Sequence, residues 1–275
     1  MESVTCATGS WPTPNPADVP ARTDQATDPE VRAGLATVRL GSAFFRRALD
    51  NISDGHLDEA SLLPAWSRRH LVAHVGYNAR AIARLVDWAA TGVMTPMYAS
   101  PDARAEEIEL GATLRPDALR HLSEHAAIDL DVRWRDLPDA RWSARVVTAQ
   151  GRDVPASETV WMRTREVWLH AVDLRSGARI DDVPRPVLLR LLADVVGAWS
   201  RREEHPVHLN VTDARLDEPT TVPAAASEAT PVTVPEVSGS LAALAAWATG
   251  RLPASQWHSE LSWTDGEPTT APRWL

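Results

Sequence analysis

Apolar residues recur at helical spacing from Asp28 to about position 200 of the chain. Val31, Leu35, Val38, Phe45 and Leu49 mark one face of a segment that opens at Asp28-Pro29 and runs to about Asn51, with proline at a favoured first helical position. After a connector that holds Pro64, Ser67 stands as N-cap to a second segment ending at Gly92, its buried face drawn by Leu71, Val75, Ile82, Leu85 and Val86. A Pro-containing loop from 93 leads to a short helix in ARAEEIELGA, and Pro116 opens another helix reaching about Leu137. A loop with a short hairpin around Gly151 follows. Glu158 to Gly177 reads as the central helix, with Ser157 as its cap and Gly177 as its stop; VLLRLLADVVGAWSRR adds one more helix to about Arg202.

The central segment differs from the others. Val160, Trp161, Val167, Trp168, Leu169, Val172 and Leu174 cover nearly its whole circumference, as in a helix enclosed on all sides. One narrow stripe interrupts them: Arg163, Glu166, His170 and Asp173, at i, i+3, i+7 and i+10. Polar groups in such a helix are costly unless something satisfies them. Glu166 and His170 lie one turn apart, a spacing that suits a shared cation and equally a Glu–His hydrogen bond; periodicity does not decide between them. In the second helix His74 falls at the edge of the buried face, near Asn78, while His70 turns toward the polar side, which disfavours a His70–His74 chelate. His121 and His125 form another i,i+4 pair, read as exposed because charges occupy several faces of their helix.

After Glu204 the pattern changes. HPVHLNVTD and TPVTVPEVS approach the alternation of strands, with a loop-rich stretch between them. Ser238 or Ser240 caps a helix in GSLAALAAWATGR that reaches Gly250 and Arg251, and WHSELSWTDG is expected as a closing strand and turn. The expected organisation is a flexible or loosely docked arm over residues 1–28, an antiparallel helical bundle over 29–203 and a small α+β domain over 204–275.

Composition narrows the function. A net charge of −9 without a basic stripe argues against nucleic acid. No apolar run approaches the roughly 18 residues of a membrane span, and the start lacks the apolar region of a secretory signal. All 28 basic residues are arginine, and the lone Cys6 excludes a disulfide within one chain. A cytoplasmic enzyme or binding protein, monomeric or a weak homo-oligomer, is the expectation.

The segments LLPAWSRRHLVAHVGYNA and MRTREVWLHAVDLRSG resemble the second- and fourth-helix motifs of mycothiol-dependent maleylpyruvate isomerase-type proteins, VSGSLAALAAWATGR resembles their C-terminal sterol-carrier-like domain, and TPMYASPDARAEEIE is similar to their loop. The resemblance covers roughly residues 30 to 260. It implies a mostly α fold, a DinB-like antiparallel four-helix bundle followed by a small α+β part. It implies a divalent metal, usually zinc, on His74, Glu166 and His170, with one position left open. The thiol is then mycothiol rather than Cys6. Its thiolate would add to the cis double bond of maleylpyruvate, allow rotation and leave as fumarylpyruvate forms. A small anionic substrate requires an arginine; Arg251 is the first expectation and Arg163 the second, with Asn78 lining the pocket and Asp173 orienting a ligand histidine. A mycothiol S-transferase uses the same centre but releases a stable conjugate. A non-enzymatic bundle would close the metal shell with a fourth protein ligand such as His70.

Overall fold

The computed structural model describes residues 23–202, 207–213, 220–222, 236–264 and 269–274. Cys6 and most of TPVTVPEVS lie outside the described residues. The bundle is built from α1 (Pro29–Asp50), α2 (Arg68–Thr91), α4 (Pro116–Asp136) and α5 (Glu158–Asp173), with α3 (Pro101–Ala112) laid on α2 and α6 (Arg185–Arg201) leading to the C-terminal part.

Helices α1 and α2 start where a side chain satisfies their first amides. Asp28 accepts from the backbone of Glu30 at 2.7 Å and heads α1, whose apolar stripe Val31, Leu35, Val38, Phe45 and Leu49 is buried as the spacing predicts. Ser67 heads α2 in a capping box completed by His70, with Ser67 Oγ 2.7 Å from His70 Nδ1. His70 is thereby a capping residue. At the other end Gly92 adopts φ +77° and closes α2.

The central helix departs from expectation at both ends. Ser157 is itself helical in φ and ψ and makes no side-chain cap. The helix stops at Asp173, four residues before Gly177, because Arg175 takes φ +54° and turns the chain. The freed carbonyls are met by buried Arg68 from the start of α2, which donates to Leu174 O at 2.8 Å and Arg175 O at 3.0 Å. A cation at a helix C-terminus is favourable, and this one fixes the start of α2 beside the end of α5.

Small residues set the helix contacts. Gly41 of α1 sits so close to α5 that a Cβ there would lie 2.6 Å from Trp168 Nε1 and 2.7 Å from Val167 Cγ2. Of the arm, the described residues 23–28 are pinned to the bundle: Arg39 pairs with Asp24 at 2.6 Å, Thr27 Oγ1 donates to Asp139 at 2.8 Å, and Ala26 is buried.

A hairpin, β1 (Arg145–Val147) with β2 (Asp153–Pro155), turns at Gly151 as expected. The C-terminal sheet comprises β3 (His208–Val211), β4 (Thr220–Val222), β5 (Glu236–Gly239) and β6 (Leu261–Trp263) in the order β4-β3-β5-β6, with only the β3–β5 pair parallel. In the described part of WHSELSWTDG the expected strand is confined to β6, and a helical turn, α8 (Trp257–Glu260), precedes it. Ser240 caps α7 (Leu241–Ala248), which ends before Gly250 and leaves Arg251 beyond the helix. Trp199 of α6 meets Trp247 of α7 edge to face at 6.0 Å, part of one core shared by both regions. Fold class is as expected: a helical bundle followed by a small α+β part. Among the described residues no helix is long and apolar enough to cross a membrane.

Candidate metal centre

Helices α2 and α5 bring His74, Glu166 and His170 together. One ligand atom from each lies within 4.8 Å of the other two. Glu166 Oε2 stands between the rings, 2.9 Å from His74 Nε2 and 3.1 Å from His170 Nε2. His74 is buried and the other two are half-buried. The Glu–His hydrogen bond that the i,i+4 spacing allows exists, and a second histidine arrives from α2, so the three residues could hold one metal ion.

The surroundings hold the set in place. His170 Nδ1 lies 2.8 Å from Asp173 Oδ2, so Asp173 fixes the ring with Nε2 toward Glu166. Asp173 is fully buried and is held in turn by Arg251, whose Nε and Nη2 donate to Oδ1 and Oδ2 at 2.8 and 2.6 Å. The indole of Trp66 packs on His74 with ring centres 5.3 Å apart.

Protonation follows from these contacts. Burial pushes the Glu166 carboxyl up, but the hydrogen bonds from His170 and His74 outweigh it and hold the acid well below its ordinary range. Burial pulls His170 down, but Asp173 and Glu166 outweigh it and raise the ring above 6.5. His74 has Glu166 alone as an acidic partner; burial prevails and lowers it. Asp173 is lowered because Arg251 and His170 outweigh its burial. An ionised carboxylate flanked by two imidazole nitrogens, one oriented through its far nitrogen, fits a divalent cation of borderline softness.

The remaining expected residues are placed differently from one another. Arg251 does reach across from the C-terminal part, but its fork engages Asp173 and its Nη1 donates to Thr249 O at 3.0 Å. Arg163 is 2% exposed and donates to Val75 O at 2.7 Å and Asn78 Oδ1 at 3.0 Å, tying α5 to α2. Burial lowers its pKa to about 10, and its Nε has no hydrogen-bond partner. Asn78 thus faces Arg163. Arg163 also lines a cavity of about 620 Å³ between α1 and α4, which none of the three clustered residues borders. His70 turns to Ser67, with Glu109 3.4 Å from its Nε2, and is not part of the cluster. His121 and His125 are exposed.

Two residues without a periodic signal also reach the centre. Arg104 of α3 places Nη2 3.4 Å from His74 Nδ1, and Tyr98 lies against its guanidinium. Only the similarity of the TPMY segment to the isomerase loop pointed toward this stretch.

The family model for the mycothiol maleylpyruvate isomerase N-terminal domain matches residues 38–175. A crystal structure of the mycothiol-dependent maleylpyruvate isomerase superposes with a TM-score of 0.81 and 43% identity, covering 89% of this chain and 97% of that one. The chain belongs to the mycothiol-dependent maleylpyruvate isomerase family. A second family structure, of a histidine-to-alanine mutant of that enzyme, gives a TM-score of 0.80 and 42% identity over the same shares. No curated protein matches the chain.

Proposed function

We propose that this chain is an enzyme that isomerises maleylpyruvate to fumarylpyruvate, dependent on mycothiol and on a divalent metal, zinc being the metal whose ligand preferences best suit two imidazoles, a carboxylate and an incoming thiol. The observation that carries the reading is the His74–Glu166–His170 cluster in a chain 43% identical, over 89% of its length, to the mycothiol-dependent maleylpyruvate isomerase.

His74, Glu166 and His170 would hold the cation, and the chemistry it would supply is an ionised thiol for addition to the cis double bond, rotation about the resulting single bond and expulsion of the thiolate. The chain's own residues prepare the site. Glu166, deprotonated throughout the neutral range, contributes the negative ligand. Asp173 selects the His170 tautomer that leaves Nε2 available. Arg251 acts through Asp173, compensating its buried charge and anchoring the C-terminal part beside the ligands. Trp66 covers His74 and limits water at its ring. The addition moves an electron pair from the double bond onto the adjacent carbonyl oxygen, and expulsion of the thiolate returns it to the double bond.

The test is incubation of the metal-loaded chain with mycothiol and maleylpyruvate, followed by proton NMR. The trans product forms while free thiol stays constant. No turnover with metal and thiol present, or accumulation of a stable mycothiol adduct, refutes the reading; the second result is the outcome expected of an S-transferase.

A further inference from the structure

This inference rests on the isomerase reading and assigns the substrate's anchor. We propose that Arg104 seats a carboxylate of the substrate at the centre and so sets the preference for an anionic substrate.

The guanidiniums that reach the centre among the described residues are not equivalent. Arg251 is committed to Asp173 at both ends of its fork. Arg163 is buried and engaged by Val75 O and Asn78. Arg165 lies 3.5 Å from Asp194 and 3.9 Å from Glu166 Oε1, with Trp274 beneath it at 5.5 Å. Arg104 makes no ion pair among the described residues. Glu107, one turn further along α3, faces Arg84 at 3.6 Å instead. What Arg104 has is the ring of a metal-ligand candidate, His74 Nδ1 at 3.4 Å, and the Tyr98 hydroxyl. A histidine that lends Nε2 to a cation carries its proton on Nδ1 and has no lone pair there for a guanidinium. A half-buried arginine left in that position is matched by a bidentate carboxylate from outside the chain.

The substrate supplies one. Maleylpyruvate bears a carboxylate on the cis double bond itself, so an anchor adjacent to the His74 ring leaves the reacting carbons beside the metal ligands. Tyr98 adds a neutral donor to the same place, since burial pushes its hydroxyl pKa up.

The test compares the zinc-loaded full chain with Arg104→Ala and Arg104→Lys. The direct probe is maleate, a cis-dicarboxylate, titrated by calorimetry, beside metal content and steady-state kinetics with maleylpyruvate. Loss of a charge-assisted pairing weakens maleate roughly 10- to 100-fold in Arg104→Ala and raises KM in the same proportion, with metal content unchanged. Arg104→Lys recovers part of the binding, because charge is kept and the fork is lost. Unchanged maleate binding and KM, or loss of metal from both variants, overturns the assignment. Normal isomerisation by Arg104→Ala removes Arg104 and leaves the isomerase reading standing. Arg104-dependent maleate binding in a chain that never isomerises maleylpyruvate removes that reading and keeps Arg104.

Discussion

Replacing Asp173 by asparagine tests whether the tie between His170 and Arg251 supports both the fold and the metal centre. Asp173 is fully buried, accepts from His170 Nδ1 at 2.8 Å, and accepts twice from Arg251, whose side chain is 7% exposed. Asparagine keeps the shape but presents one acceptor where three donors converge, and it removes the charge that balances a buried guanidinium. Breaking a buried pair from one side costs about 3–5 kcal/mol, which is the loss of folding free energy expected for Asp173→Asn. Arg251→Met, which leaves Asp173 with His170 alone, costs about 2–4 kcal/mol by the same reasoning. The double variant falls short of the sum by about 1–3 kcal/mol, because each single change already removes the shared contacts. The assay is urea denaturation of chelator-treated protein at pH 7, followed by tryptophan fluorescence, with zinc affinity measured separately against a competing indicator. Asp173→Asn also weakens zinc about 10- to 100-fold, since His170 loses the group that orients it. Destabilisation below about 1 kcal/mol, or strict additivity in the double variant, refutes the claim of a buried coupled pair. Unchanged zinc affinity refutes the orienting role.

Further predictions follow from the same geometry. Zinc competes with protons for His170, whose pKa is raised above 6.5, so affinity is full at alkaline pH and begins to fall while the pH is still above 6.5; chelator competition from pH 6 to 9 shows it. In chelator-treated protein the raised His170 pKa gives stability fully present below the unfolded value near 6.5 and lost as pH rises through the folded value. The lowered His74 pKa gives stability present above 6.5 and lost as pH falls, so the contribution of the pair is greatest around pH 6.5 in thermal melts. Arg163→Met removes a buried cation that makes no ion pair among the described residues, and urea unfolding is expected to change by less than about 1 kcal/mol; a cost above about 3 kcal/mol means its two hydrogen bonds outweigh charge burial. Gly41→Ala drives a methyl into Trp168 and Val167, and crowding of about 1–3 kcal/mol exceeds the helix-propensity gain of about 1 kcal/mol, so the melting temperature falls.

Much of this arrangement is legible in the residues. An all-round apolar helix with one polar stripe announces that Glu166, His170 and Asp173 face something in the interior, and the edge position of His74 makes it the histidine of α2 turned inward. Resemblance then singles out His74, Glu166 and His170 as a ligand set. Periodicity fails where contacts are made by loops or across the chain. The stop of α5 at Asp173 is set by the left-handed Arg175 and by Arg68 from another helix, neither visible in a local window. The rotation of His70 toward the polar side disfavours it as a chelator, but the spacing says nothing of its capping role, in which its ring serves Ser67. Arg251 is expected to meet substrate because the motif it ends resembles the family's, and nothing local shows that its fork is taken up by Asp173, 78 positions earlier. Arg104 occupies a short helix with no marked polar stripe, and nothing in its neighbours indicates that its guanidinium reaches His74.

The union of Asp173 with Arg251 also bears on how such a chain can be cut and recombined. A fragment ending near residue 203 would retain every candidate ligand yet strip a fully enclosed carboxylate of its guanidinium. The helical portion is therefore expected to bind metal less well alone than in the full chain. Any different C-terminal segment grafted onto it must deliver a cation to the same depth, or the acid beneath His170 will take up a proton and the ring will lose its bearing.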